Sequence, residues 1–365
     1  MRVVHLEAGR HLYGGVRQVA YLIAGLERLG IENVLLCARG SAIARATLPA
    51  EIIELPLNGE LDIGQLGRVS RVLKTLDANL LHVHSRRGAD LYGGLAARRA
   101  EIPAVLTRRV DSVEPAAWLR FKWRAYARII AISNHIRTDL IERVGFAPVR
   151  VPLIASAVDT QLFAPRANRE RLAQAFGVPR DALVIGCVAQ LIARKGHRML
   201  LDAFKRLAAE DARLHLICFG AGPLQATLER QIAALDLGTR VVLAGYREDL
   251  PELLAELAVL VHPAEREGLG VAVLEALSAG VPVVAVRTGG VPDSIAHEDT
   301  GLLVAPGDAP ALGAAIGRIL ADAALRARLV ERGRRKIEAD FSIARMAGGN
   351  LAVYQEALGS HGADG

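Results

Sequence analysis

Three cysteines among 365 residues, Cys37, Cys187 and Cys218, are too few and too scattered for a disulfide or zinc framework. Each falls in an apolar run that reads as a strand, which is where reduced core cysteines sit. No uninterrupted apolar run approaches the roughly 18 residues of a membrane span. The start, MRVVHLEAG, has no apolar core of a signal peptide, so a cytoplasmic protein is expected. Short-period repeats and low-complexity tracts are missing too, which excludes solenoid architectures. A G-x-G-x-x-G motif does not open the first helix, where GRHLYGGVRQVA stands instead. That removes the signature of an NAD-dependent oxidoreductase.

What the chain does have is apolar content, at 52%, and a length beyond one core, so two domains are expected. Short β-branched runs alternate with amphipathic stretches: VVHLE, NVLLCA, EIIEL, LLHVH, AVLTR, IIAIS and VRVPLI in the first half, then LVIGCVA, LHLICFG, VVLAGY, LAVLVHP, VPVVAV and TGLLVA. Near-continuous apolar strands separated by helices predict parallel sheets covered on both faces, and hence α/β domains of the doubly wound type. The pattern pauses at SAVDTQLFAPRANRE, residues 156–170. The expected division is therefore 1–165 and 166–340, with a closing helix at 341–358 and a disordered tail, GSHGADG, at 359–365.

The chemistry concentrates in EREGLGVAVLEALSAGVPVVA, residues 265–285. Glu267 lies in a glycine-bearing loop at the C-terminal end of a strand, and Glu275 lies inside the following helix among Val273, Leu274, Ala276 and Leu277. An ionised carboxylate in such apolar company costs several kcal/mol unless something holds it. A helix start near Gly270 offers N–H groups to an anion, while a neighbouring carboxylate accepts hydrogen bonds from hydroxyls. A sugar nucleotide presents both groups.

In order and spacing, GGVRQVA, IIAIS, VDTQLF, RKG, GAGP, EGLGVAVLEALSAG, TGGVPDSI and FSIARMAGGNLAVYQEAL resemble the family four (group 1) retaining glycosyltransferases of the GT-B fold, over nearly the whole chain. The resemblance implies two Rossmann-like domains facing across a cleft, with a C-terminal crossover helix returning to the N-terminal domain. It implies that Glu275 binds the ribose, that Glu267 with the backbone of Gly268, Leu269 and Gly270 holds the donor sugar and diphosphate, and that Gly14 and Gly15 bring amides to the diphosphate. Lys195 with Arg194 would neutralise the leaving phosphate, with Gln190 and Tyr246 completing the donor set. The implied reaction is metal-independent and cofactor-free, with a nucleotide-diphosphate sugar as donor and a cell-surface glycolipid or lipopolysaccharide glycan as acceptor.

Two positions depart from the family pattern. Gln190 stands where many relatives carry an arginine, and VLTRRVD offers Arg108, Arg109 and Asp111 where many carry a histidine. The second departure means either that the sugar contact is made differently or that the donor and acceptor carry extra negative charge, and the charge distribution favours the latter. HVHS puts His82 and His84 on one face of a strand without an evident third ligand, so no metal is expected, and the pair is read as core packing or as an acceptor-side contact by His84. Between His82 and Arg128 ten Lys or Arg face four acids, an excess equal to the net charge of +6 of the whole chain. There, WLRFKWRAY places Leu119, Trp123 and Tyr126 on one helix face and Arg120 and Arg124, beside Phe121, on another. With Lys122 these form a basic stripe suited to an anionic membrane surface. No nucleic-acid-binding motif accompanies the charge, so nucleic acid is not an expected partner. A catalytically silent sugar-nucleotide-binding protein and a sugar-nucleotide epimerase are the alternatives, because fold alone does not set function.

Overall fold

A computed structural model describes residues 1–10, 14–86, 88–111, 114–165 and 170–363. The chain forms two units, one of Met1–Ala157 with Ile343–Gly365 and the other of Val158–Ser342. The division lies at Ala157/Val158 and Ser342/Ile343, set against 165/166 and 340/341 from the polar stretch. Backbone pairing explains the placement. Ala157 N–H donates to Gln18 Oε1 at 2.7 Å, while Val158 N–H donates to the Phe341 carbonyl at 2.9 Å.

The N-terminal unit holds β1 (Arg2–Glu7), β2 (Glu32–Ala38), β3 (Glu51–Leu55), β4 (Leu80–Val83), β5 (Ala104–Arg108) and β6 (Arg128–Ala131). They form one parallel sheet in the order β3-β2-β1-β4-β5-β6. The C-terminal unit repeats this topology with β7 (Leu183–Val188), β8 (Leu214–Phe219), β9 (Val241–Gly245), β10 (Val259–His262), β11 (Val283–Val286) and β12 (Leu302–Val304), in the order β12-β11-β10-β7-β8-β9. Both sheets are doubly wound, as the apolar strand runs predict. The strand order reverses between β1 and β4 in one and between β7 and β10 in the other. Such switch points open a crevice at the strand C-terminal ends, where α/β proteins bind ligands.

The strands are buried on both faces, with Val3, Val4, Leu6, Leu35, Val259, Leu260 and Val261 wholly out of solvent. Each such side chain contributes about 1.5–3 kcal/mol. The three cysteines are unpaired and buried in this core. The closing helix Ile343–Ala363 lays Met346, Ala347, Tyr354 and Ala357 against Val3, Leu22, Leu26 and Leu80 of the N-terminal unit. A Cβ on Gly25 would stand 2.7 Å from that of Ala347, so glycine is what lets the helix Gly14–Glu27 meet the closing helix.

Two expectations need correction. VRVPLI is not a strand: Pro152 has no N–H to give a ladder, and only an isolated bridge joins Leu153 to Ala131. The closing helix continues through Gly359 and Ser360, which composition assigned to a disordered tail. Ser360 Oγ donates back to the Glu356 carbonyl one turn earlier and so follows the helix. Residues 364 and 365 lie outside the described residues.

Candidate functional site

In the C-terminal unit the switch point is spanned by side chains. β10 ends at His262, and the loop after it carries Glu267 back over the neighbouring β7 side. Glu267 Oε2 accepts from Lys195 Nζ at 2.5 Å and from His262 Nε2 at 3.0 Å, and its Oε1 accepts from the Gly268 N–H at 3.0 Å. Burial alone would push the Glu267 carboxyl up. The His262 bond and the Lys195 charge outweigh it and hold the group well below the usual carboxylate range.

Backbone shape fixes this loop. Gly196, at φ 72°, could carry no Cβ, which would lie 1.9 Å from the Pro263 carbonyl oxygen. Gly289 is similarly closed by the Glu267 carbonyl oxygen at 1.8 Å. Gly270, at φ 87°, turns the chain into the helix Val271–Ser278, whose N-terminus no side chain caps. Glu275, on that helix, is 5% exposed. Arg194 donates from Nη1 to the Arg266 carbonyl at 3.4 Å, and Gln190 sits half-buried beyond the end of β7. Tyr246 follows β9 and is 48% exposed. His262 is the residue that sequence reading missed. Its signal was a histidine ending the apolar run LAVLVHP.

The N-terminal switch point encloses a cavity of about 250 Å³. Gly15, His84, Arg10, Arg86, Arg108 and Arg109 line it, with Glu7, Asp90 and Trp123. Gly14 and Gly15 are the first residues of the helix Gly14–Glu27 rather than loop, and a Cβ on Gly14 would meet nothing within 4 Å. Arg108 is 5% exposed, stacks over Trp123 at 5.1 Å and pairs with Glu114 at 3.4 Å. Arg86 reaches the same Glu114 at 3.1 Å. Arg109 donates to Ser156 Oγ at 3.3 Å, and burial lowers its guanidinium to about 10. Asp111 turns instead toward His135, 3.7 Å away, and does not line the cavity.

Two readings of this unit are corrected. Lys122 is 4% exposed and pairs with Asp90 at 2.6 Å and Glu114 at 3.4 Å, so it is no part of a surface stripe. A third histidine does stand beside His82 and His84: His5 pairs in register with His82 across β1 and β4, and among the described residues these three form the group whose ligand atoms lie within 4.8 Å of one another. Hydrogen bonding occupies both ring nitrogens of His5 and of His82 and Nε2 of His84. His82 Nδ1 and Nε2 each lie 2.6 Å from a hydroxyl, of Tyr354 and Thr107. Asn33 Nδ2 donates to the Ile31 carbonyl at 2.9 Å, so its Oδ1 faces His5 and accepts from His5 Nε2–H at 3.0 Å. His5 Nδ1 lies 3.0 Å from His84 Nε2. Burial lowers His5 to about 4, and burial with the neighbouring histidines and Arg109 holds His82 and His84 well below the usual imidazole value. The three are neutral near pH 7, and hydrogen bonds tie them into the core at every ring nitrogen but Nδ1 of His84.

Residues 13–162 match the family Glycosyltransferase Family 4, and residues 168–336 match Glycosyl transferases group 1. A 2-deoxystreptamine glucosyltransferase of Streptomyces kanamyceticus is 29% identical, covering 94% of this chain and 95% of that protein. A D-inositol 3-phosphate glycosyltransferase of Salinispora arenicola is 28% identical over 78% of this chain and 70% of its own. Among solved structures, Anabaena HepE in complex with UDP and glucose superposes with a TM-score of 0.84 at 22% identity, covering 98% of this chain and all of that one. WaaG, a glycosyltransferase involved in lipopolysaccharide biosynthesis, gives 0.73 at 18% identity over 96% of this chain and 99% of that one. With the two family models matched in order along its halves, and with two doubly wound sheets of the GT-B type, this chain belongs to the family four, group 1 glycosyltransferases.

Proposed function

We propose that this glycosyltransferase moves a sugar, with retention at the anomeric carbon and without a metal, from a nucleotide-diphosphate sugar to a hydroxyl of a cell-surface glycolipid or lipopolysaccharide. The observation that carries the donor half is Glu267, fixed by Lys195 and His262 at the β7/β10 switch point next to the uncapped helix of Glu275. In this reading Glu275 accepts the ribose hydroxyls, the Glu267 loop holds the sugar and diphosphate, and Tyr246 lies against the base. Lys195, with Arg194 as a second cation in place of the charge that Gln190 lacks, stabilises negative charge on the leaving phosphate. HepE, solved with UDP-glucose, supports the donor class.

The acceptor half rests on the N-terminal cavity and on an exposed pair of rings. Trp118 and Phe121 are 43% and 50% exposed and stacked at 5.6 Å, with Arg124 over the Phe121 ring at 4.0 Å and Arg120 exposed alongside. Aromatics flanked by arginines suit the interface of an anionic bilayer, where a lipid-linked acceptor would be found.

A panel of nucleotide sugars, assayed for hydrolysis and for transfer in the presence of a chelator, tests the reading. One donor should be turned over, and proton NMR of the product should show the donor's anomeric configuration. An inverted product removes the retaining mechanism; binding without any turnover favours a silent sugar-nucleotide-binding protein.

A further inference from the structure

We propose that the N-terminal cavity seats the sugar acceptor through a hydroxyl that donates to Nδ1 of His84, and that it selects a neutral or anionic polyol ring over one bearing an ammonium. The inference rests on the glycosyltransferase reading for the identity of the cavity's occupant as acceptor. The position of the proton follows from geometry. His5 Nε2–H donates to Asn33 Oδ1, so in the neutral ring His5 Nδ1 carries a lone pair, and the contact to His84 at 3.0 Å is a hydrogen bond only if His84 Nε2 donates. In a neutral ring Nδ1 of His84 is then the bare nitrogen. That nitrogen is buried and has no hydrogen-bond partner among the described residues, on a side chain that lines the cavity and is 5% exposed. A buried acceptor without a donor is costly, so a ligand that supplies an O–H is favoured there over one that does not.

The surroundings decide which donor. Arg10, Arg86, Arg108 and Arg109 stand on the cavity wall against Glu7 and Asp90, with Lys122 and Glu114 pairing behind them. Cations outnumber carboxylates, and the histidines that pack on His84 from β1 and β4 add no negative charge. Burial first, and then His82, His5 and Arg109, keep His84 unprotonated, and the same burial and cationic neighbours oppose an ammonium. A hydroxyl on a neutral ring meets no such opposition, and a phosphate or carboxylate on the same ring gains from Arg109, whose Nε has no hydrogen-bond partner among the described residues.

The test uses the full chain with ¹⁵N-labelled histidine and three probes at pH 7: glucose, glucose 6-phosphate and glucosamine. His84 is assigned by the signal lost in His84→Gln, with circular dichroism to show that the variant folds; should it not fold, through-bond correlation in the wild type gives the assignment. The expected spectrum has the proton on Nε2 and none on Nδ1. Glucose and glucose 6-phosphate should shift Nδ1, the phosphate binding on the order of tenfold more tightly, while glucosamine leaves it unmoved. Arg109→Gln should abolish the preference for the phosphate and keep the His84 tautomer. A proton on Nδ1 in the unliganded protein, an equal response to glucosamine, or no response to any of the three overturns the proposal. Hydrolysis of nucleotide sugar by the same sample is read separately: its presence leaves the transferase reading standing when the cavity proposal fails, and its absence with a correct His84 response does the reverse.

Discussion

Glu267 accepts from three protein donors, Lys195, His262 and the Gly268 amide, and so is held in one orientation. Its depressed carboxyl stabilises the fold above the unfolded value of about 4.3, and that contribution is lost only as pH falls well below it. The neighbouring Glu275 gives a cleaner test of donor binding. Glu275→Gln keeps the shape and loses the charged acceptor, so nucleotide-sugar affinity should fall on the order of 10-fold with melting behaviour retained. Calorimetric titration of donor against both proteins checks this, and equal affinities remove Glu275 from the site. For the leaving phosphate, Lys195→Ala should lower turnover on the order of 100-fold or more, as loss of one preorganised donor does. Arg194→Ala should lower it by less, on the order of 10-fold. Unchanged steady-state rates in Arg194→Ala mean that Lys195 carries the charge alone.

The helix Ala116–Lys122 shows what period alone conveys at the scale of an element. The helix stops at Lys122, short of the WLRFKWRAY stretch that period suggested, with Trp123 as its C-cap and Tyr126 beyond it. Yet the three apolar residues read from that period are all buried: Leu119, Trp123 and Tyr126 are 0%, 1% and 1% exposed. Lys122 was assigned to the basic stripe, yet it lies three residues after Leu119 and so shares the buried face. Its ammonium is accommodated there because Asp90 and Glu114 meet it. The surface motif is therefore Arg120, Arg124, Trp118 and Phe121. If these dock on an anionic bilayer, each arginine contributes on the order of 1 kcal/mol within a Debye length of about 8 Å. The double substitution Arg120→Gln with Arg124→Gln should release the protein from phosphatidylserine vesicles in a sedimentation assay, and raised salt should do the same to the wild type. Lys122→Gln should instead destabilise the fold, because it leaves Asp90 buried without its cation. Equal pelleting of wild type and double variant makes the stripe a solvated face.

At the scale of the molecule, three neutral histidines sit in one unit of two. His5, lowered to about 4, and His82 and His84, lower than usual, bind fewer protons when folded than when unfolded, where histidine titrates near 6.5. Stability from this cluster is present above about pH 6.5 and is lost as pH falls toward 4, at up to about 1.4 kcal/mol per pH unit for each ring. Both tryptophans, Trp118 and Trp123, belong to the same N-terminal unit, so intrinsic fluorescence reports on it alone. Urea midpoints followed by tryptophan emission should drop steeply between pH 7 and pH 5, and His5→Asn should flatten the slope. A slope unchanged in His5→Asn would show that the histidines do not set the acid sensitivity.

Apolar runs at strand length, separated by amphipathic stretches, determined two doubly wound sheets, because a strand buried on both faces must be apolar at every position and the sequence shows this locally. The glutamates of residues 265–275 were legible for the same reason: a carboxylate in apolar company stands out without a fold. What only the tertiary structure decided are contacts between strands that are adjacent in a sheet and distant in the chain. Lys195 meets Glu267 across 72 residues, and His5 meets His84 across 79, each pair at the point where strand order reverses. The register between β1 and β4, or between β7 and β10, is set by packing of the helices that cross over between them. No local pattern in either strand encodes its partner, and so the contacts of His5 with His84 and of Lys195 with Glu267 appear only when the sheets are assembled.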